Sequence, residues 1–600
     1  MPTHITARLA WHNNGWDGSV CREPERNTYC VGAKSFPGDV IARERELEDE
    51  KRCAGCLGDA LKGYVPPCSY SYNAFGLKSA LAKSNPPGFF YGKADTRDWE
   101  LPPSTVCVWP YEAMYDDAVK AEGYLDNDKR RELTTKFFQP VIEECGSNLI
   151  FYYANYSNPL SEDEAPTYAL IGVSRIASVG EELFYENVQD DIAKKYAGGM
   201  VWARNVSSHY PSEGLRLPYH RYLKEPERLK EIAVFPENPV LCKYGSKHLS
   251  DDDAIGLLEQ FLAKTRLLAE FDDSEDWKAR ECWLLKVIAE LWTHRGLYPG
   301  LLRSLEAAGA ESLIAPTKAA LMQHGHQAAH ALAFAVLEKD DDNELTTAID
   351  AAARKQLVRN WKLIEEDART LLKEVLPRLD LDADTMKAII SDDRAASGLP
   401  QDAKAIAQNP YLLSETFVGD SPEDRIPWSA IDRGVLPAPD IGKPLHDMAF
   451  NDERRFRALC VDALRAEAKH VFRFAEELIN EINTRMARLP DWKQASFNTR
   501  YFQADEEFLS ECLTLKQTPH GLAVYLRTVF EDEREVESRL RDLASSPDIA
   551  LTRPVTDSDW RAWVHKPDSP LVLKEARPTR RRSPSKRKSA PGSSAALYAL

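Results

Sequence analysis

The 600-residue chain is too long for one hydrophobic core, so several domains are expected. Its 43% hydrophobic and 28% charged residues are those of globular protein, and its net charge of −17 excludes a chain that coats nucleic acid with its whole surface. Any nucleic-acid contact must then come from local basic patches. The N-terminus shows no apolar run behind a basic start, and no stretch approaches the ~20 apolar residues that span a bilayer. A cytoplasmic location without a membrane partner is expected. The eleven cysteines are then expected to be reduced thiols or metal ligands. The pattern along the chain predicts a multidomain α+β protein. Its parts are a Cys-rich N-terminal domain (1–125), a small β-barrel-like domain (126–245), a helical, helix-hairpin-helix-like domain (246–445), a winged helix (446–545), and a linker with a disordered basic tail (546–600).

In the first of these, Cys21, Cys30, Cys53, Cys56 and Cys68 sit among turn formers such as Asn13-Asn14-Gly15 and Pro66-Pro67. A segment with so little regular structure gains from a metal staple. Cys53-Ala54-Gly55-Cys56 has the short loop of a zinc knuckle, and the other thiols supply the remaining ligands. Zinc is the first candidate and an iron–sulfur cluster the second. Reduced, packed cysteines are the alternative. Trp11, His12, Trp16 and Asp17 fall within eight positions, which suits either a tight turn pinned by tryptophan or a base-stacking corner. His12 and Asp17 have no nucleophile at readable spacing, so no catalytic residue is assigned.

Residues 149–156 and 168–176 are aromatic and β-branched and read as strands. Val179-Gly180 is expected to turn into a third strand at Leu183. Such punctuation suggests a curled sheet or barrel, a shape that can display aromatic residues to a base. Asp251 is expected to cap an amphipathic helix carrying Ile255, Leu258, Phe261 and Leu262, and another runs from about Trp277 to Trp292. Gly296-Leu297-Tyr298-Pro299-Gly300 then joins helices in the manner of a helix-hairpin-helix, flanked by Arg295 and Arg303. Turns of that kind can offer backbone amides to phosphate. A further helix is predicted over 355–375. His324, His326 and His330 cluster on an Ala-rich helix with no acidic residue placed as a general base, which points to a solvated or packing role rather than metal.

From Asn409 the chain runs Asn-Pro-Tyr-Leu, then Ile431-Asp432-Arg433-Gly434. A helix near Asp452 carries Phe456, Leu459, Ala463 and Leu464. His470-Val471-Phe472 interrupts it with β-formers, and helix resumes over 475–482. Residues 512–516 and 522–526 read as strands joined by Thr518-Pro519-His520-Gly521. Helices followed by a hairpin make a winged helix-turn-helix. Val529, Glu533, Val536, Leu540 and Leu543 continue as an amphipathic helix. Beyond it, Arg577, Arg580, Arg581, Arg582, Lys586, Arg587 and Lys588 lie among Pro and Ser, a composition expected to be disordered and able to attract nucleic acid.

The Asn-Pro-Tyr-Leu and Ile-Asp-Arg-Gly segments, followed by a winged helix, resemble the region that precedes the motor in RecD-like superfamily-one DNA helicases. The resemblance implies an ATP-dependent enzyme moving 5′ to 3′ on single-stranded DNA. Such a motor needs G-x-x-x-x-G-K-[ST] to cradle phosphates. That nucleotide-binding loop is absent: Gly88 and Gly92-Lys93-Ala94 have the wrong spacing, and Gly442-Lys443-Pro444 is no nearer. The expected function is therefore a DNA-binding accessory or regulatory portion of a RecD-like helicase, in bacterial repair or defence. Helicase activity would require a motor supplied elsewhere, and a separately encoded motor or nuclease subunit is the expected protein partner. The chain stops where the motor should begin, as a truncation or a frameshift would also produce. The resemblance nominates Arg425 and Arg433 for backbone contact. Long cations near helix ends and the wing add Arg295, Arg303, Arg454, Arg455, Arg465, Lys469, Arg473 and Lys516. The alternative is a metal-containing scaffold or reader of modified nucleic acid acting through residues 1–245.

Overall fold

Runs of aromatic and β-branched residues and stretches of helical periodicity divide this chain between sheet and helix. The computed structural model describes residues 4–8, 105–108, 147–156, 167–181, 201–205, 214–218 and, with short breaks, 225–545, plus isolated positions such as Val141 and Tyr222. The five N-terminal cysteines, residues 11–18, the strand expected at Leu183, Lys469 and the basic tail lie outside the described residues. The chain divides into two compact units, Met1–Phe530 and Glu531–Leu600.

In the first unit, β1 (His4–Arg8), β2 (Thr105–Val108), β3 (Leu149–Tyr156), β4 (Thr167–Glu181), β5 (Val201–Asn205), β6 (Gly214–Arg216) and β7 (His248–Leu249) form one mixed sheet. The order is β2-β5-β4-β3-β1-β7, with β6 also paired to β4. β1 runs parallel to β3, Ile5 opposite Ile150, and the other pairings are antiparallel. The end strands do not join, so the expected barrel is an open sheet among the described residues. Val179-Gly180 is not a turn. β4 continues through it, shifting register after Ile176 so that its second half pairs with β5. The sheet also crosses the boundaries expected at 125 and 245, because β1 and β7 belong to it.

Helix α1 (Pro226–Ile232) precedes β7. Ser250 and Asp253 then form a reciprocal capping box that starts α2 (Asp251–Leu268), so the cap is Ser250 and the expected cap, Asp251, is the first helical residue. His4 ties this start to the sheet. Its Nδ1 accepts from Leu149 N–H at 2.9 Å, so Nε2 donates to Asp251 at 3.0 Å. α3 (Trp277–Arg295) opens on Asp276 and lies on α2. Phe261, Leu258, Leu284 and Trp292 of these helices share a core with Ile5, Phe151 and Val173 of the sheet.

A second core begins at Leu301. It gathers α4 (Leu301–Ala307), α5 (Glu311–His324), α6 (His326–Lys339), α7 (Ala351–Leu363), α8 (Glu366–Thr370), α9 (Ala383–Ile390), α10 (Ala403–Gln408), α11 (Leu412–Thr416) and α12 (Trp428–Val435). The helix predicted over 355–375 is broken at Ile364, where the backbone turns extended, and α8 passes into a wide π turn at Leu371–Val375. α10 stops at Gln408, before Asn409-Pro410, as the restriction on the residue preceding proline predicts.

The same core takes in α13 (Glu453–Ala466), α14 (Ala475–Ala487), the short α15 (Tyr501–Ala504) and α16 (Glu506–Leu509), β9 (Leu513–Thr518) and β10 (Gly521–Leu526), and β8 (Phe472–Phe474) lies between α13 and α14 in the chain. The three strands form an antiparallel sheet in the order β8-β10-β9. Gly521, at φ +133°, closes the hairpin in a conformation that favours glycine. α17 (Arg527–Ser545) follows directly. Within the second unit its surface is held by the ion pairs Arg534–Glu537, Arg539–Glu535 and Arg541–Glu537, and Val536, Leu540 and Leu543 are exposed.

Candidate nucleic-acid interface

The two segments that carry the helicase resemblance meet in the interior. Tyr411 Oη donates to Asp432 Oδ1 at 2.6 Å, and Arg455 grips both oxygens of Asp432 at 2.8 and 3.1 Å. Lys493 Nζ lies 3.4 Å from Asp432 and 3.1 Å from Glu259 of α2. Arg433, the next residue, turns the other way to take Asp252 at 2.8 and 2.9 Å, and Arg295 donates to the second oxygen of Asp252. Asp252, Glu259 and Asp432 thus face Arg295, Arg433, Arg455 and Lys493 in one buried network. It joins α2 and α3, on the sheet side, to α12, α13 and Lys493. Burial alone would raise the Asp432 carboxyl, but Arg455 and Lys493 overcome it and hold the pKa below the usual range. Arg433 and Arg295 do the same for Asp252. A second buried pair, Arg457 with Glu415 at 2.8 and 3.1 Å, fastens α13 to α11.

The nominated DNA-binding cations therefore divide. Arg295, Arg433 and Arg455 are interior groups occupied by carboxylates and carbonyls. Arg465 donates to the carbonyls of Ser414 and Glu415, Arg454 pairs with Asp452, Arg303 with Asp380, and Arg473 with Glu481. Arg425 and Lys516 are exposed. Lys516 Nζ lies 5.9 Å above the Phe530 ring and has no ion pair among the described residues. The Gly296–Gly300 turn offers no free amides at its glycines. Gly296 N–H donates to Trp292 and Gly300 N–H to the carbonyl of Pro377, both internal. His324 is exposed and lies 3.1 Å from Glu344, whereas His326 and His330 are partly buried. His330 stacks on Tyr298 with 4.1 Å between ring centres and donates to Lys373 carbonyl, and burial lowers its pKa.

A cavity of about 550 Å³ opens beside the network, lined by Asp253, Asp380, Asp382, Asp384, Arg425 and Arg433 among others. Burial, then the charges of Asp380 and Asp252, push Asp253 up to about 6. The sign follows from linkage. A carboxyl whose folded pKa exceeds its unfolded value of 3.8 makes the fold lose stability as pH rises from about 4 to about 6. Asp253→Asn, which keeps an oxygen for the Ser250 amide, should flatten that slope and raise stability at pH 7 by on the order of 1 kcal/mol. Urea midpoints at several pH values check it, and an unchanged slope would refute it.

Among the described residues no group of His, Cys, Asp or Glu is arranged to hold a metal, and no helix is long and apolar enough to cross a membrane. No family model matches the chain, and no solved structure matches it. The chain is similar to an uncharacterized protein of Methanocaldococcus jannaschii, 24% identical over 466 residues that cover 72% of this chain. The chain spans about a third, 35%, of that relative's length.

Proposed function

We propose that this chain is the DNA-engaging accessory portion of a RecD-like ATP-dependent helicase, working with a motor that the 600 residues do not encode. The observation that carries the reading is the order helix, strand, helix, short helices, hairpin over residues 453–526, closed by the sheet β8-β10-β9. That is the chain order of a winged helix, a common nucleic-acid-binding unit. Its position, after Asn409-Pro410-Tyr411-Leu412 and Ile431-Asp432-Arg433-Gly434, is the one the resemblance calls for.

The charge distribution supports a contact at the wing of this unit. Asp505, between α15 and α16, and Glu506 and Glu507 of α16, with Glu511 just beyond, would repel a phosphate backbone. Exposed cations are found instead at the wing and the loop before α15, at Lys516 and Arg500. The wing therefore grips the backbone, and the third-helix region faces away from it. The early thiols Cys21, Cys30, Cys53, Cys56 and Cys68 belong to the same proposal as a zinc staple, tested by zinc content of the full chain.

Binding to a forked DNA should weaken as salt rises, and Lys516→Ala should reduce the slope of log affinity against log salt by about 1. Fluorescence anisotropy over a salt series measures both. Absence of fork binding even at low salt, where phosphate contacts are strongest, would end the proposal.

A further inference from the structure

The two faces of the β8-β10-β9 sheet differ in what they pack against. Leu513, Leu515, Leu522, Val524 and Leu526 turn inward. Side chains alternate along a strand, so the residues between them share the opposite face. There the cross-strand rows read Lys516–Ala523–Phe474 and Thr514–Tyr525–Phe472. On this face the central residues Ala523 and Tyr525 are buried, and the accessible groups are Phe472 and Phe474 on one edge strand and Lys516 on the other.

Phe472 lies 5.5 Å from Phe474 and 5.0 Å from Tyr525, and Phe530 stands edge-on to Tyr525 at 5.1 Å. Phe472 and Phe474 are half-exposed, and their neighbour Val471 is 42% exposed. Gly521 and Ala523 place no bulk in front of Phe474. A Cβ at Gly521 would come to 3.7 Å from the ring. Lys516 flanks the rings with a charge that no carboxylate among the described residues neutralises. Aromatic rings in a row beside an unneutralised cation match a chain of stacked bases with a phosphate alongside. A neutral peptide would use the rings and leave the lysine without a role.

Building on the winged-helix reading above, we infer that the outer face of this sheet is a stacking surface for single-stranded nucleic acid, with Phe472 and Phe474 under the bases and Lys516 at the phosphates. Sequence preference is not expected, because every base has a face to stack. The wing then holds the unwound arm of a fork.

The test uses the full chain, a labelled oligothymidylate of about 15 nucleotides, a blunt duplex and a fork. Phe472→Leu with Phe474→Leu should weaken oligothymidylate binding about 5- to 100-fold, with duplex binding changed less than about twofold, while Phe474→Trp should retain affinity. On the unaltered protein, photocrosslinking of a bromouracil-substituted strand should map to residues 470–476. If the fork binds but the leucine variant still holds oligothymidylate fully, or the crosslinks fall elsewhere, the stacking surface is refuted and the winged-helix reading stands. If neither oligothymidylate nor fork binds the unaltered protein, both are refuted.

Discussion

Asp432→Ala should destabilise the first unit by about 3–5 kcal/mol, one of the largest losses available from a single side chain here. Asp432 is fully buried and accepts from Tyr411 and twice from Arg455, with Lys493 at 3.4 Å. Its removal leaves a guanidinium, an ammonium and a phenol in the interior. Lys493 keeps Glu259, and Arg455 keeps the carbonyls of Phe450 and Lys493, so the loss is partial for each cation. The dominant cost is the unpaired buried charge rather than the lost bonds themselves. Asp432→Leu combined with Arg455→Met should therefore recover much of the stability that either change alone removes. The effect has a defined pH window. The Asp432 pKa is lowered in the fold, so its contribution is present above the ordinary value of 3.8 and disappears as pH falls through the lower folded value. Urea midpoints for wild type, single and double variants measure this. A loss below about 1 kcal/mol at pH 7 would mean that the network contributes little.

The helices and the hairpin of residues 453–526 were legible because each is written in a local code. Phe456, Leu459, Ala463 and Leu464 keep helical spacing on α13, Pro519 and Gly521 mark the turn, and the β-formers at 471–472 mark the edge strand. The open sheet was not legible. Its centre joins residues 5 and 150, and nothing local in either segment states that they lie side by side. Val179-Gly180 misled for a related reason: a glycine inside a strand can mark a bend as well as a turn. The buried network was missed because arginine and lysine read as surface groups unless a partner is known. Arg455 shares the helix face of Phe456 and Leu459 closely enough to be fully buried, and Arg433 follows the equally buried Asp432. Charged residues adjacent to a strong apolar stripe were the available signal. Arg433, which the resemblance nominates for contact with DNA, is instead buried with Tyr411 and Asp432 in the interior, where all three hold helices together.

Gly300→Ala should be comparably damaging, for a steric reason that no repacking of side chains can relieve. Gly300 caps α4 with an ordinary negative φ of −88°, so backbone freedom is not the issue. What excludes a side chain is proximity. A Cβ there would stand 2.1 Å from Leu379 carbonyl oxygen and 2.8 Å from that of Leu376. Both oxygens belong to the tight turn after the π segment, which Gly300 N–H itself fastens through Pro377 carbonyl at 2.9 Å. A methyl group would push α4 off this turn and break that bond. Arg295, which donates to the neighbouring Arg378 carbonyl at 3.0 Å, would be strained with it, and through Asp252 so would the network around Arg433. A loss of about 3 kcal/mol or more is expected. Gly309→Ala is the control, because no atom lies within 4 Å of its added Cβ; its cost comes only from a φ of +67° and should be about 1–2 kcal/mol. Thermal and urea unfolding of both variants would decide the matter. A Gly300→Ala protein no less stable than Gly309→Ala would show that the contact between α4 and the 376–379 turn yields easily.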